Sequence, residues 1–246
     1  MSEFVFVFLV CIVFVLVLTV IYNNIITTKK YSIKTGKVNS PLRIVFLPDL
    51  FTNTSASRIN LIIEKTKKLR PDLVVITGAS LAENGGVTDS LITKLSSFAE
   101  VLCVNTPPVL SRLGCICIPG GELRIVNEYS LVALPDNDVD DLLTCFSRLE
   151  NFKIAVVSKP SFFGEPVNIS SYDIDLVLSW HSDGQLINIP FFGALYTKED
   201  GFFPRYSRGI YREKGSTLVI SAGVGKSVVP LRLNNFRQIV TITVEN

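Results

Sequence analysis

The chain has 246 residues, which suits one large domain or two small ones. Its 24 basic residues nearly balance 22 acidic ones, so the overall charge shows no footprint of a nucleic-acid-binding protein. Hydrophobic residues make up 48% of the chain, and its mean hydropathy of +0.40 is high for a purely soluble domain. One segment accounts for much of that excess.

An apolar run near the start of the chain predicts a membrane-spanning helix. Residues Phe4 to Tyr22 are apolar apart from Thr19 and include no charge and no proline. As an α-helix the run rises about 28 Å, which matches the hydrocarbon core of a bilayer. The rival interpretation is a cleavable signal peptide, which needs a basic segment before the run and a small-residue cleavage site after it. Glu3 precedes the run and Tyr22-Asn23-Asn24 ends it, so the sequence favours a retained anchor.

The distribution of lysine around this run predicts its orientation. No basic side chain precedes the run, and four follow it closely: Lys29, Lys30, Lys34 and Lys37. Because loops on the cytoplasmic side carry the excess of basic residues, we expect the soluble domain in the cytoplasm. The five cysteines agree, since their spacing is not that of a disulfide framework. The predicted organisation is an anchor and flank over residues 1–28, a linker over 29–40 and one domain over 41–246.

The soluble part alternates predicted strands with predicted helices. Hydrophobic runs bounded by turn residues predict strands at 42–47, 72–78, 101–104, 115–118, 130–134, 153–157, 175–179, 217–221 and 239–244. Helical periodicity predicts helices at 60–69, 88–98 and 139–149. This alternation is typical of a layered α/β core.

Several stretches of the C-terminal third occur in the order and with the residue types of one known family. They cover residues 175–184, with its Ser-Trp-His-Ser-Asp-Gly, then 189–196, 201–209, 221–225 and 230–232. Over residues 40–246 the chain resembles the calcineurin-like metallophosphoesterases, most closely their bacterial membrane-anchored or exported branch. The resemblance implies a four-layer α/β/β/α sandwich with a two-metal centre on loops at strand ends.

The resemblance assigns metal-ligand positions, and four of them keep a ligating side chain. Asp49 stands in the family's Asp-x-His motif, and Asn105 stands in its Gly-Asn-His motif. His181 keeps the first histidine of Gly-His-x-His, and Asp183 takes the place of the second. Oxygen ligands with one imidazole suit one weakly held Mn²⁺, Mg²⁺ or Ca²⁺. The structural alternatives are that His181 is an ordinary core residue and that Asp49 caps its turn.

At four other positions of the family's motifs the functional side chain has been replaced. Phe51 stands for the histidine of Asp-x-His, and Ala79 stands for the carboxylate that bridges the metals. Thr106 replaces the histidine that assists the leaving group, and Ser158 replaces an isolated histidine ligand. Two-metal hydrolysis needs cations about 3.5–4 Å apart that share a bridge and activate a water. We therefore expect no dinuclear centre, no bound cofactor and a loss of catalysis.

Two further patterns have simpler interpretations than a ligand site. Gly223-Val224-Gly225-Lys226-Ser227 resembles the end of a phosphate loop, but the glycine required five residues before Gly225 is Ile220. A surface turn is the simpler prediction. Cys115 and Cys117 share one face of a predicted strand with Cys103 near them, which leaves a zinc site open beside the simpler prediction of small buried side chains.

Arg205, Arg208 and Arg232 form the richest polar group expected near the cleft, and they suit an anionic head group, unless they are solvated or paired within the fold. The predicted function is a membrane-anchored, non-catalytic binding or regulatory module. The alternative is a divergent or mono-metallic phosphoesterase or pyrophosphatase that acts on a phosphorylated, lipid-linked substrate. A scaffold held at the membrane is a third hypothesis. No nucleic acid is expected, and the sequence names no protein partner.

Overall fold

The computed structural model describes residues 2–50, 54–78, 87–106, 108–126, 128–180, 187–189, 192–197, 200–225 and 232–246. Its α-helices are α1 (Ser2–Asn24), α2 (Ala56–Leu69), α3 (Val87–Ser96) and α4 (Asp140–Ser147). Short 3₁₀ segments lie at Pro108–Leu113, Pro160–Phe163 and Ile169–Ser171. The three predicted helices of the soluble part correspond to α2, α3 and α4.

The first large sheet has six strands in the spatial order β1-β16-β2-β3-β4-β5. The bounds are β1 (Ile26–Lys34), β2 (Leu42–Leu47), β3 (Leu73–Thr77), β4 (Glu100–Val104), β5 (Ile116–Ile118) and β16 (Arg237–Glu245). Strands β2 to β5 are mutually parallel, whereas β16 runs antiparallel to β2 and parallel to β1. The near-continuous apolar sequences of β2, β3 and β4 are those expected of parallel strands covered on both faces.

The second large sheet has the order β14-β15-β9-β8-β7-β6. Its strands are β6 (Leu123–Ile125), β7 (Tyr129–Ala133), β8 (Phe152–Val157), β9 (Leu176–Ser179), β14 (Gly209–Glu213) and β15 (Ser216–Ile220). The four central strands are parallel, and β6 and β14 are antiparallel edges. Two small antiparallel pairs lie between β9 and β14: β10 (Asn188–Ile189) with β11 (Gly193–Ala194), and β12 (Tyr196–Thr197) with β13 (Gly201–Phe202).

Three apolar clusters hold these elements together. Along β2, Ile44 and Phe46 join a cluster that also contains Val156 of β8 and Leu178 of β9, so residues of both large sheets share it. The alternate β2 residues, Val45 and Leu47, join a second cluster with apolar residues of α2 and α3. A third cluster combines residues of the second sheet with residues of α4. The mixed α/β architecture predicted from the sequence is therefore confirmed.

Helix α2 shows why the sequence forms these elements. Its buried positions Ile59, Ile62, Ile63 and Thr66 have the spacing of one helix face. The helix ends where Arg70 adopts a left-handed conformation with φ of 49°, immediately before Pro71, which disfavours continued helix.

The segment before the domain differs from the prediction. We expected a linker over residues 29–40, but β1 pairs with β16 along its whole length, from Ile26 opposite Arg237 to Lys34 opposite Glu245. Most residues of this edge strand are exposed or partly buried, and many are lysine, threonine or serine. Its composition therefore resembles that of a linker. Pairing with β16 satisfies its backbone, which composition alone does not reveal.

Among the described residues, one helix is long and apolar enough to cross a membrane. It spans Glu3–Asn24 and has a mean hydropathy of 3.5 over its most apolar window. Most of its large apolar side chains are exposed, including those of Phe4 and Phe8. The predicted apolar helix is thus present.

Candidate functional site

Strand direction brings Asp49, Asn105 and Ser158, three of the predicted positions, to one edge of the two sheets. The parallel strands β2, β3 and β4 end there, and the antiparallel strand β16 begins there. The second sheet contributes the segment after β15, because the Val224 N–H donates to the carbonyl of Pro48, 3.1 Å away. We call this the carboxyl edge and the opposite one the amino edge. Ligand sites of parallel sheets are expected at carboxyl ends.

Asp49 lies at the carboxyl edge, where the backbone of other chain segments passes close to it. Its φ of 54° is left-handed. A Cβ atom added to Gly223 would lie 3.0 Å from the Asp49 Oδ2, and one added to Gly78 would lie 3.5 Å from the backbone nitrogen of Leu50. Two glycines with positive φ therefore allow neighbouring chain segments to approach this carboxylate. Residues 221–225 are buried rather than forming the predicted surface turn, because this turn packs against β2 and β16.

Arg232 is the cation beside this carboxylate. Its side chain is 7% exposed, and Nη1 donates to the carbonyl of Ala222 at 3.0 Å. Within the described part of the chain, its buried Nε has no hydrogen-bond partner. Burial lowers the pKa of Arg232 to about 10; the charge of Asp49 opposes that shift, whereas Arg208 and Arg58 add to it. A buried guanidinium with an unused N–H is the donor that a bound anion or water needs.

Three further arginines lie near Arg232, and together the four form what we call the arginine cluster: Arg58, Arg208, Arg232 and Arg237. Arg237 is 1% exposed, and burial lowers its pKa to about 9, with Arg232 and Arg58 adding to the shift. Burial also lowers the pKa of Arg208, whose Nη1 donates to the Asn235 Oδ1 at 3.1 Å. Arg58 lies in the first turn of α2, where the helix dipole adds positive potential. The cluster concentrates positive charge next to Asp49.

Two other buried polar atoms at this edge lack partners among the described residues: Oγ1 of Thr77 and Oε1 of Gln238. Val75 and Val240 belong to the apolar cluster between the two sheets. Thr77 and Gln238 are each two residues away from them along a strand, so their side chains also point between the sheets. Buried polar atoms are almost always satisfied by protein, water or ligand. With the Nε of Arg232, they indicate that the carboxyl edge holds solvent or a polar ligand.

Asn105 and Thr106 follow the end of β4. Asn105 has a φ of 55°, and a Cβ atom on Gly120 would lie 3.2 Å from its Oδ1. Thr106 is buried, and its hydroxyl donates to the carbonyl of Cys103 at 3.0 Å. That hydroxyl is thus committed to its own turn.

Ser158 directly follows β8 and is also engaged within the protein. Its hydroxyl donates to Asp136, and its carbonyl accepts a hydrogen bond from the Ser179 hydroxyl at 3.3 Å. Ser158 therefore carries a short polar side chain that already has a carboxylate partner.

Only part of the predicted metal-ligand set lies within the described residues. Among the predicted ligands and substituted positions, Phe51, Ala79, His181 and Asp183 lie outside the described residues. Within the described part of the chain, no group of three or more His, Cys, Asp or Glu side chains can hold a metal ion. Asp49 also shares its surroundings with a buried guanidinium, which repels a divalent cation.

The three predicted anion-binding arginines separate into two places. Arg208 and Arg232 influence one another electrostatically within the arginine cluster. Arg205 instead donates from Nη2 to Glu213 at 3.0 Å, lies over the ring of Tyr206 and lines a separate cavity of about 320 Å³. Sequence reasoning missed Arg58 and Arg237. The available signal was an arginine that opens an otherwise apolar strand and another in the first turn of a helix.

Three of the five cysteines, Cys103, Cys115 and Cys117, lie close together at the first sheet. Cys103 and Cys115 are buried, and the sulfur atoms of Cys115 and Cys117 are 4.0 Å apart. The Cys115 thiol donates to the carbonyl of Leu110 at 3.2 Å. The prediction of small buried side chains fits Cys103 and Cys115.

Comparison with known proteins supports the family resemblance. No family model matches the chain. The uncharacterized metallophosphoesterase YkuE of Bacillus subtilis (strain 168) is 25% identical over 225 residues, which cover 81% of this chain and 76% of that protein. A solved crystal structure matches 75% of this chain and 91% of its own at 9% identity, with a TM-score of 0.46. The chain is thus similar to a metallophosphoesterase over most of its length.

Proposed function

We propose that this chain is a membrane-anchored, metallophosphoesterase-like protein that no longer hydrolyses phosphoesters and instead binds a phosphorylated ligand at the carboxyl edge. The observation that carries this proposal is the arginine cluster beside Asp49. The ligand class is an anion with phosphate or pyrophosphate oxygens, including the head group of a lipid. Binding of such a ligand gives the protein a sensing or regulatory role.

The apolar clusters support a four-layer arrangement. One cluster joins the two large sheets, a second joins the first sheet to α2 and α3, and a third joins the second sheet to α4. Each sheet therefore has one face toward the other sheet and one face toward helices. This is the α/β/β/α order of the metallophosphoesterases, and the similarity to YkuE agrees with it.

Loss of hydrolysis follows from the chemistry of the remaining side chains. Alanine at position 79 provides no bridge between metals, and phenylalanine at position 51 provides no ligand. Thr106 and Ser158 are engaged in hydrogen bonds within the protein. Two-metal hydrolysis needs a carboxylate that bridges the metals and an acid that protonates the leaving group. These groups act together, and this chain supplies neither at the positions that the resemblance assigns.

Anion binding follows from the electrostatics of the arginine cluster. Burying a guanidinium is unfavourable unless charge and hydrogen bonds compensate it, and burial lowers the pKa of both Arg232 and Arg237. A phosphate offers several acceptors in the geometry that the guanidinium fork matches. Its charge also relieves the mutual repulsion of the arginines. A phosphorylated ligand would therefore compensate the excess positive charge of the buried arginines.

The proposed location is a membrane, with the domain on its cytoplasmic side. The apolar helix α1 is the anchor, and the lysines that follow it support the orientation. Protease added to sealed cells is expected to leave the domain intact. Digestion from outside without lysis would reverse the orientation.

The test of ligand binding compares two arginines. Calorimetric titration of the full chain in detergent with inorganic pyrophosphate is expected to show binding that Arg232→Gln weakens by about 10-fold or more. Arg205→Gln is the matched control, because Arg205 is 69% exposed at its side chain and paired with Glu213, and it is expected to change affinity less than about 2-fold.

Two outcomes decide this proposal. Arg232→Lys, which keeps the charge but not the fork, is expected to bind with intermediate affinity while melting near the wild-type temperature. Equal weakening by the Arg205 and Arg232 variants, or no binding by the unmodified chain, contradicts an anion site at the arginine cluster.

A divergent or mono-metallic phosphoesterase is the second candidate. The similarity to YkuE favours it, as do the family ligand types kept at Asp49 and Asn105. Hydrolysis of bis-p-nitrophenyl phosphate by the unmodified chain with Mn²⁺ measures it. Turnover that disappears with a chelator and with Asp49→Asn establishes the enzyme and rejects the non-catalytic proposal.

A further inference from the structure

We infer that the carboxyl edge is a membrane-docking surface: it lies against an anionic lipid bilayer, with the exposed aromatic residues of the segment before β14 inserted in the interface. This inference rests on the proposed anchor. It adds a second attachment to the membrane and an orientation of the whole domain. The arginine cluster, two of whose members are buried, then adds positive potential beneath the lipid surface.

The chain topology joins the anchor to this edge. Only Ile25 separates the end of α1 at Asn24 from the start of β1 at Ile26. Ile26 lies opposite Arg237, the first residue of β16. Because β16 is antiparallel to β2, its first residue lies at the edge where β2 ends and Asp49 follows. The helix therefore enters the domain at the carboxyl edge.

Side-chain contacts hold the end of α1 against that edge. The Arg237 Nε donates to the carbonyl of Asn23 at 2.6 Å, and the rings of Tyr22 and Phe236 lie 4.4 Å apart. Arg58 donates to the Asn24 side chain at 3.3 Å. With one connecting residue and these contacts, the domain has little freedom to turn its carboxyl edge away from the plane where the helix ends.

Exposed aromatic side chains project from the same edge. They lie between β9, which ends at the carboxyl edge, and β14, whose first residue Gly209 is opposite Ile220 at the end of β15. The exposed members are Phe192 (75%), Tyr196 (42%), Phe202 (72%) and Phe203 (58%). This segment is tied to the start of β16, since the Asn188 N–H donates to the carbonyl of Leu233 at 3.0 Å.

Exposed aromatic rings near an anchor have a natural environment at the membrane interface. Large apolar side chains in water mark interaction surfaces, and aromatic residues are enriched where the bilayer meets water. Tyr196 and Phe202 pack edge to face at 5.1 Å, so they present one apolar unit rather than scattered side chains.

Charge selects an anionic bilayer as the occupant. The arginine cluster lies where α1 enters the domain, whereas the exposed carboxylates of the carboxyl edge, such as Asp136 and Asp138, follow β7 on the side of the second sheet away from β14. Asp200 is an exposed carboxylate on the aromatic segment, and it lines the cavity that contains Arg205. Basic residues near an anionic membrane surface are attracted to it, and the attraction adds to the burial of aromatic rings.

The experiment uses tryptophan fluorescence in the full chain. The wild type contains one tryptophan, Trp180, which is 7% exposed and gives the baseline. Phe202→Trp adds a probe in the aromatic segment. Ile125→Trp is the control, because Ile125 is 59% exposed and lies opposite Ser130 at the amino edge. Each chain is reconstituted in phosphatidylglycerol–phosphatidylcholine vesicles with phospholipids brominated along the acyl chains, which quench tryptophan on contact.

Docking predicts about two-fold quenching of the signal added by Phe202→Trp and little quenching of the signal added by Ile125→Trp. Weaker quenching in vesicles of phosphatidylcholine alone supports the charge contribution. Equal quenching of both probes, or none of either, overturns the docking surface.

Carbonate extraction of the same vesicles separates the two proposals. A chain released by carbonate contradicts the anchor and with it the docking. A chain that is retained, with the Phe202→Trp probe unquenched, leaves the anchor standing and rejects the docking alone.

Discussion

The two edges of the sheets differ in how their charged residues are arranged. At the amino edge, cations meet carboxylates: Arg124 lies 2.7 Å from Glu100, and Lys37 lies 3.0 Å from Asp175. At the carboxyl edge, Arg232 lies beside Asp49 and near other arginines, and burial lowers the pKa of Arg232 to about 10 and that of Arg237 to about 9. Paired charges serve the fold, whereas gathered like charges lower its stability and suit a ligand of opposite charge.

Two buried cations show the difference most clearly. Lys153 is fully buried at the amino edge, and its ammonium donates to the carbonyls of Ser147 (3.1 Å) and Leu149 (2.8 Å) and to Asp173 (2.5 Å). Its three donors are all used. Arg232 at the carboxyl edge keeps an unused N–H among the described residues. Lys153 is therefore a structural cation, whereas Arg232, buried beside other arginines, keeps a donor that a ligand can use.

The largest effect is expected at the amino edge. Lys153→Met removes three hydrogen bonds and leaves two carbonyl acceptors at the end of α4 without that donor, so the free energy of unfolding is expected to fall by about 2–3 kcal/mol. Urea denaturation of the full chain in detergent measures it. Lys68→Met, on the exposed face of α2, is the control, with an expected change within about 0.5 kcal/mol. A similar loss for both variants would remove the distinction between buried and surface lysine.

A smaller effect is expected from crowding at the carboxyl edge. Gly223 and Gly201 have the same φ of +73°, but a Cβ on Gly223 meets the Asp49 carboxylate whereas one on Gly201 meets nothing within 4 Å. Gly201→Ala is expected to cost about 1 kcal/mol for the backbone alone, and Gly223→Ala about 2 kcal/mol because Asp49 must also move. Only Gly223→Ala is expected to weaken pyrophosphate binding. Equal costs and unchanged binding would mean that this close approach has no role.

The smallest effect is a pH dependence of the amino edge. The hydrogen bond from Lys153 holds the pKa of Asp173 below its usual value of 3.8, burial opposes that shift and Lys37 adds to it. A depressed pKa means that ionised Asp173 stabilises the fold above about pH 4 and that this contribution disappears as the pH falls through the folded-state pKa.

Denaturation of wild type and Asp173→Asn checks this sign. The wild type is expected to be more stable near pH 6 by less than about 1 kcal/mol, since Asp173 is 69% exposed at its side chain, and the difference is expected to shrink toward pH 3. A difference that grows in acid would reverse the assignment.

Much of the fold was predictable, because apolar runs in buried parallel strands leave a strong signal. The runs at 42–47 and 153–157 were predicted within one residue of β2 and β8. Strand β1 was missed, because an edge strand gains its stability from pairing with residues more than 200 positions away. Composition does not record that pairing.

The candidate site was predictable only in part. Motif order placed Asp49 and Asn105 at strand ends, and the structure has both there with left-handed backbones. Arg205 and Arg208 are three residues apart in sequence, but one pairs with Glu213 and the other joins the arginine cluster. Neighbours in sequence do not report neighbours in space.

By itself the sequence determined the apolar helix and the α/β alternation, since these depend on residue type, spacing and order. Only the tertiary structure decided that helix α1 ends at the edge carrying Asp49 and that Arg58 and Arg237 join Arg232 there. Those facts depend on β16 running antiparallel to β2, which brings the two ends of the chain together. Strand direction is set by packing between distant segments, so it appears only when the chain is folded.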